Sequence, residues 1–218
     1  MRSKLPKVLH KIAGLPMMGH SLNSASGCNP SRTVIVTGHQ ADRVADEAKV
    51  LSPSASCVVQ EPQLGTGHAV LQAKEALADF DGDVFILFAD TPLIRPETLV
   101  DMVNARAEGA AVVVLGFEAK IPGGYGRLIE GDGGLEKIVE AKDATEAELA
   151  VPLCNSGVMC VDSGTLFRLL DQVTNDNAKG EYYLTDIVGL ARAEGLRCAV
   201  VRCDEAETLG VNSRVDLA

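Results

Sequence analysis

Val84-Phe85-Ile86-Leu87-Phe88-Ala89-Asp90 is a run of six apolar residues that closes on a carboxylate. A short, continuous apolar run with aromatic and β-branched members predicts a strand buried on both faces. The residues after Asp90 support that reading. Pro96 to Glu108 has the spacing of a helix, with Glu97 in its first turn and Gly109 just past its end. Ala111-Val112-Val113-Val114-Leu115-Gly116-Phe117 is then a second buried strand. Upstream, Thr33 to Gly38 predicts a strand followed by a helix over Ala41 to Val50, and Cys57 to Gln60 a shorter strand followed by a helix over Gly67 to Ala78. Apolar strands alternating with helices predict an α/β fold, with a mainly parallel sheet covered by helices on both faces.

The second half is less regular. Arg127-Leu128-Ile129 lies in a Gly-rich stretch and predicts one strand of a hairpin, with Leu135 to Glu140 another strand. Lys142 to Ala150 is a charged loop or short helix, and Asn155 to Val161 a strand. Helices are predicted over Ser163 to Val173 and Leu184 to Glu194, and a last core strand over Cys198 to Arg202. No repeat, low-complexity segment or linker interrupts the chain, so residues 1–218 are expected to form one domain.

Composition narrows the function. The chain has 218 residues, 46% of them hydrophobic and 23% charged, with a formal net charge of −10. Broad binding to nucleic acid or an anionic membrane needs a basic face, which this balance argues against. No apolar stretch approaches the length of a membrane span. The basic N-terminus is not followed by a signal-peptide core, so a cytoplasmic location is expected. Six cysteines form no C-x-x-C pair and no Cys/His cluster, and Cys57, Cys154, Cys160 and Cys198 lie in apolar runs. Buried thiols are expected.

Ligands of open α/β sheets bind beyond the carboxyl ends of the strands. Gln60, Asp90 and Asn155 fall at predicted strand ends. Asp90 alone reads equally well as a turn or capping aspartate. Leu64-Gly65-Thr66-Gly67-His68-Ala69 joins a strand to a helix. Its glycines let backbone approach a flat or anionic ligand, and Thr66 can cap the helix, although a plain tight turn has the same spacing. His68 reads as a helix first-turn residue. His20 and His39 have no visible partners. Lys7 lies close to a predicted helix start.

Taken in order, these segments resemble one family. Leu5-Pro6-Lys7, Gly14-Leu15-Pro16-Met17, Gln60 with Leu64-Gly65-Thr66-Gly67-His68-Ala69, Asp90-Thr91-Pro92-Leu93, Gly124-Tyr125-Gly126-Arg127, Ile138 to Ala144, Asn155-Ser156-Gly157, Gly180-Glu181-Tyr182-Tyr183-Leu184-Thr185-Asp186 and Gly210-Val211-Asn212-Ser213-Arg214 carry the likeness almost from end to end. The chain resembles the N-terminal domain of the bacterial bifunctional N-acetylglucosamine-1-phosphate uridylyltransferase/glucosamine-1-phosphate acetyltransferase family. The resemblance implies a Rossmann-like nucleotide-diphospho-sugar transferase fold. It implies uridylyl transfer from UTP to N-acetylglucosamine 1-phosphate, giving UDP-N-acetylglucosamine and pyrophosphate for peptidoglycan and lipopolysaccharide precursors.

Residue roles come by the same likeness. Gln60, Gly65 and Thr66 would face the uracil side of the nucleotide, and Lys7 would contact phosphate. Asp90 and Asn212 would hold Mg²⁺. Gly126, Glu140 and Asn155 would hold the sugar, with Tyr183 and Thr185 nearby. Phe88 and Ala89 stand where the family usually has Tyr-Gly. Phe88 keeps an apolar face for an N-acetyl methyl without the hydroxyl, and Ala89 adds a methyl where the backbone is expected close to the ligand.

Two departures matter. Members of the family begin with a strand and a Gly-rich phosphate loop, whose final Met aligns with Met1 here. The sequence is therefore expected to be an N-terminally truncated domain, with a non-catalytic nucleotide-sugar binding or regulatory module as the alternative. No hexapeptide-repeat β-helix comes after Asn212, so acetyltransferase activity is not expected and the oligomeric state is open. A cytidylyl- or guanylyl-transferring relative is the weaker third reading.

Overall fold

The structure is a computed structural model that describes residues 5–211. Its strands are β1 (Lys11–Ile12), β2 (Leu15–Pro16), β3 (Val34–Thr37), β4 (Ser56–Val59), β5 (Asp83–Ile86), β6 (Val112–Glu118), β7 (Arg127–Gly131), β8 (Gly134–Val139), β9 (Leu153–Asp162) and β10 (Cys198–Cys203). Its helices are α1 (Met17–Ser26), α2 (Ala41–Leu51), α3 (Thr66–Leu71), α4 (Pro96–Ala107), α5 (Glu146–Leu149), α6 (Ser163–Leu170) and α7 (Asp186–Ala193). The largest sheet runs β10-β6-β9-β7-β8, with β5 also paired to β9. β3 and β4 form a separate parallel pair.

The sheet is mixed. β6 and β10 pair in parallel, as the order of strands and helices predicts. β9 runs antiparallel to β6 on one side and to β5 and β7 on the other. The β7–β8 hairpin extends the sheet beyond it.

Alternation across β6 and β9 explains the layering. Val112, Val114, Met159 and Val161 join one core with Leu166 and Leu169 of α6 and Ile187 of α7. Their neighbours Val113, Leu115, Val158 and Cys160 face the other way, onto Leu99 and Met102 of α4. All eight of these strand residues are 0% exposed. Successive side chains of a strand point to opposite faces, so a run apolar at every position needs a helix layer on each side.

Several boundaries differ from those the sequence predicts. β5 ends at Ile86, and Phe88 to Asp90 form a turn closed by Thr91, whose N and Oγ1 both donate to Phe88 O at 3.3 and 3.0 Å. The helix expected over Gly67 to Ala78 is α3 followed by a separate 3₁₀ turn at Glu75–Leu77. Among the described residues β10 pairs with β6 alone, at the edge of its sheet. The helix α1 has no side-chain cap and no charged residue at either end to mark it, and sequence patterning does not predict it. All six cysteines are free, with Cys154, Cys160 and Cys198 buried and Cys57 only half-buried on the short β3–β4 pair.

Leu99 is fully buried in the α4 layer, so Leu99→Ala is expected to lower unfolding stability by roughly 2–5 kcal/mol. Urea unfolding followed by circular dichroism measures it. A loss under about 1 kcal/mol would show that α4 does not cover that face in solution.

Candidate functional site

A cavity of about 220 Å³ opens at one end of the large sheet. Six of the residues picked out by sequence line it: Thr66, Phe88, Gly126, Glu140, Asn155 and Thr185. Gly124, Tyr125, Ser156, Gly157, Met159 and Leu184 complete the lining.

An irregularity in β9 builds the floor. β6 advances two residues from Val114 to Gly116, while β9 covers four, from Met159 to Asn155. The unpaired segment is held by side chains instead: Ser156 Oγ donates to Leu115 O at 2.7 Å and accepts from Val158 N at 3.1 Å. Gly157 N donates to Asn155 Oδ1 at 2.9 Å. Bulges re-aim side chains, and this one leaves Asn155 in the cavity wall. Gly157 has φ +90, and a Cβ there would meet the Phe88 ring at 2.8 Å. The ring is thus seated on bare backbone. Asn155 belongs to the start of β9 and not to a carboxyl end as the sequence suggests. It reaches the right edge of the sheet because β9 is antiparallel to β6.

The opposite wall is a zipper between two loops. Tyr182 N donates to Leu64 O at 2.8 Å, and Gly67 N to Tyr182 O at 2.8 Å. Thr66 does not cap α3. Its Oγ1 accepts from Leu184 N at 3.1 Å, and Gly65 holds the N-cap position with φ +111. A Cβ on Gly65 would lie 2.7 Å from Tyr182 O, so the approach requires glycine. Behind it, Gln60 Nε2 donates to Gly65 O at 2.9 Å and lies 3.1 Å from His68 Nδ1.

Burial sets the electrostatics. Glu140 is pushed above the ordinary glutamate range mainly by desolvation, with Lys179 opposing and Asp143 adding to the shift. Asp186 is raised for the same first reason, and then by Glu140 and Asp143. Tyr183 is raised by burial and by Asp143 and Glu140, with Lys179 Nζ 5.4 Å from its ring centre. Thr185 Oγ1, in the cavity lining, is buried without a hydrogen-bond partner. Tyr183, expected near the sugar, lies outside the lining, with its buried Oη close to the Lys179 N–H. The Thr185 hydroxyl lies close enough to Glu140 to favour its ionised form without a formed bond. Buried polar groups left open beside a cavity are the expected mark of a ligand that completes them.

Lys7 and Asp90 lie beyond the Phe88 side of the cavity. Lys7 Nζ is 2.6 Å from Asp90 Oδ2, with both side chains about a third exposed. Asp90 is close enough to Tyr125 for its charge to raise the phenol, after burial and the charges of Cys154 and Glu205. Val211 N donates to Asp90 O at 3.0 Å, which brings the chain's later segment to the same place. Asn212 lies outside the described residues. Ala89 packs toward Leu9, Met18 and Val44 and is not part of the cavity lining. Among the described residues no group of three His, Cys, Asp or Glu could hold a metal by itself.

Two supports carry no signal in composition or periodicity. Arg127 is 3% exposed and donates to the carbonyls of Gly123, Tyr125 and Leu149, bracing the Gly124–Gly126 wall. Glu207 is 5% exposed, accepting from Thr98 Oγ1 at 2.6 Å and Arg95 N at 3.2 Å. It ties the 3₁₀ turn at Glu205–Thr208 to α4, just ahead of Val211. His20 and His39 do find neighbours, Ile12 O at 2.9 Å and Gln40 Nε2 at 3.2 Å.

The chain is 56% identical over 218 residues to the bifunctional protein GlmU of a Ruegeria species, covering 100% of this chain and 48% of that one. It is 58% identical over 220 residues to the bifunctional protein GlmU of Rhodospirillum rubrum, with the same coverage. The chain thus spans about half the length of the curated relatives it matches. Among solved structures, a UDP-glucose pyrophosphorylase complexed with UDP-glucose superposes with a TM-score of 0.76 at 18% identity, covering 91% of this chain and 82% of that one. HddC from Yersinia pseudotuberculosis, complexed with GMP-PN, gives 0.66 at 15% identity over 93% and 83%. These two share the fold. Residues 1–179 match the family model of the MobA-like NTP transferase domain, and the chain belongs to that family.

Proposed function

We propose that this domain transfers a uridylyl group from UTP to N-acetylglucosamine 1-phosphate, forming UDP-N-acetylglucosamine and pyrophosphate. The observation that carries the reading is the cavity lined by Phe88, Asn155, Glu140 and Thr185, whose Thr185 hydroxyl is buried without a partner, together with the Lys7–Asp90 pair. A phosphate oxygen of the sugar phosphate attacks the α-phosphorus of UTP. A new P–O bond forms as the bond from the α-phosphorus to the bridging oxygen breaks, and that electron pair leaves with pyrophosphate. The nucleophile is already an anion, so no side chain has to remove a proton. Positioning and charge neutralisation supply the catalysis.

Each residue has a role in this reading. Asn155, Glu140 and Thr185 bind sugar hydroxyl and amide groups, and the Gly126 backbone closes over the ring. Phe88, seated on Gly157, gives the N-acetyl methyl an apolar surface. Gly65 and Thr66 bring backbone against the base, with Gln60 behind them. Lys7 places its charge on phosphate oxygens. The reading calls for Mg²⁺, and Asp90 fits it: a partly exposed carboxylate that already holds one cation, Lys7 Nζ, at 2.6 Å. A substrate-bridging Mg²⁺ needs only one or two carboxylates, with phosphates and water for the rest. Asp90, joined by Asn212, would hold it, and when bound it neutralises and orients phosphate oxygens. No helix among the described residues is long and apolar enough to cross a membrane, and six unpaired thiols suit a reducing, cytoplasmic setting.

Pyrophosphate release from UTP is expected to require both N-acetylglucosamine 1-phosphate and Mg²⁺, and Asp90→Ala to reduce it by roughly 10²-fold or more. Release that ignores the sugar phosphate, or proceeds equally with CTP, would contradict the assignment.

Glu140 makes a second, opposite-signed expectation. Its folded pKa is raised, so the stability it contributes is complete only below its unfolded value and is lost as pH rises through the folded value. At neutral pH the ionised, desolvated carboxylate therefore costs stability. Glu140→Gln should raise the melting temperature at pH 7, and the gain should fade as pH falls through the folded pKa. Sugar-phosphate affinity should fall roughly tenfold to a hundredfold, the usual effect of losing one hydrogen bond to a charged group. Thermal unfolding across pH together with calorimetric titration reads both. A variant less stable than wild type at neutral pH would show that Glu140 is structural.

A further inference from the structure

We propose that His68 is a positioning residue for base selection, holding the Gln60 amide so that its oxygen, and not its amino group, is left for the nucleobase. The inference rests on the uridylyl-transfer reading, which places Gln60 near the base.

The geometry is specific. Gln60 stands just past β4, with its own N–H donating to Thr37 O at 2.7 Å. Its terminal nitrogen is 2.9 Å from Gly65 O and 3.1 Å from His68 Nδ1. A backbone carbonyl can only accept, so the atom facing Gly65 is the amino group. That group has two hydrogens, and Gly65 O and His68 Nδ1 take one each. That second bond forms only where His68 Nδ1 is the unprotonated nitrogen of a neutral imidazole, with the ring proton on Nε2. The remaining capacity of Gln60 is its carbonyl oxygen.

Gln72 sits on the other edge of the ring. Its terminal nitrogen donates to His68 O at 2.9 Å and lies 3.2 Å from His68 Nε2. A neutral imidazole has one lone pair for two amide neighbours, so each tautomer satisfies one glutamine and turns a ring proton on the amino group of the other. With the lone pair on Nδ1, Gln60 keeps both of its bonds, and it is Gln72 that turns its oxygen to Nε2–H and gives up His68 O. With the lone pair on Nε2, the Nδ1 proton would point at the Gln60 amino group. Gln60 would have to turn over, losing Gly65 O and presenting N–H outward.

The two orientations favour different bases. An outward oxygen accepts the N3–H of uracil. An outward amino group suits the unprotonated N3 of cytosine. A site whose polar group faces the wrong partner leaves both unpaired, which is why a fixed amide discriminates. The His68 ring is also packed near Tyr182, with centres 6.3 Å apart, so the 182–184 side of the zipper holds it from one side.

The test uses two substitutions with opposite reach. The Asn oxygen can stand near the place of imidazole Nδ1, and the Gln end group near that of Nε2. Binding of UTP and of CTP is measured by calorimetry on wild type, His68→Asn, His68→Gln and His68→Ala, each first checked for a cooperative melt. Wild type and His68→Asn should favour UTP, while His68→Gln and His68→Ala should lose roughly tenfold or more of that preference. His68→Gln and His68→Ala keeping the wild-type ratio, or His68→Asn losing it as they do, would overturn the proposal. Wild type binding both nucleotides equally, or neither, would instead remove the uridylyl reading beneath it. Nitrogen NMR of the wild-type imidazole gives a readout free of any variant's folding: an unprotonated Nδ1 is expected, and a protonated Nδ1 overturns the assignment.

Discussion

The structure depends on β9. This strand is antiparallel to β6 along its length and pairs on its other side with β5 and β7, so it joins the parallel part of the sheet to the β7–β8 hairpin. Backbone groups that leave water must find partners, and a strand walled by helices on both faces can find them only in neighbouring strands. Where β9 breaks that rule, at Ser156 to Val158, the missing ladder bonds are replaced by the Ser156 hydroxyl and by Asn155. The floor of the cavity is the consequence. Asn155 faces the opening and Gly157 carries the Phe88 ring because the strand is interrupted there and nowhere else along its β6 partner.

An acidic protein that is to bind phosphates, as proposed, must place its cations with care. The formal charge of −10 is spread over the chain, and many of its carboxylates lie in exposed ion pairs such as Arg32–Asp79. Exposed pairs of that kind are screened by water and contribute little. Lys7 pairs with Asp90, and Lys179 lies beside Tyr183 and near enough to Glu140 for its charge to act on it. Glu140 and Asp186 are stripped of water, and Asp143 adds its charge to both. Such crowding is unfavourable to folding, and it fits a site shaped for binding at the expense of stability.

Much of this is legible in the sequence because the deciding signals are local. The apolar run at Ala111 to Phe117 encodes a doubly buried strand, and Glu97 and Gly109 mark the ends of α4 to within a residue or two. The run at Val84 to Ala89 gives a strand that is shorter and less buried than its composition predicts, with Ile86 alone buried, because the chain turns away after β5 to form the Phe88–Asp90 turn. Asp90 and Gln60 stand out because each is a polar residue at the end of an apolar run. The direction of β9 is not legible. Nothing in Asn155 to Val161 distinguishes a parallel from an antiparallel strand, and the difference decides which end of the sheet Asn155 occupies. Thr66 misleads for a similar reason. Its spacing suits an N-cap, but a partner 118 residues away, Leu184 N, takes the hydroxyl. Arg127 and Glu207 are invisible as supports, since a charged residue in sequence reads as surface until its burial is known.

As proposed, sugar and base are read in two adjoining places, the sugar in the cavity lined by Phe88 and Glu140 and the base at the Gly65 zipper. A crystal structure of the chain with UDP-N-acetylglucosamine tests this most directly. The sugar is expected against Asn155 and Glu140 with its N-acetyl methyl on Phe88, and the uracil beside Gly65 and Gln60. Electron density for the sugar outside that cavity, with Glu140 and Asn155 untouched, would contradict it.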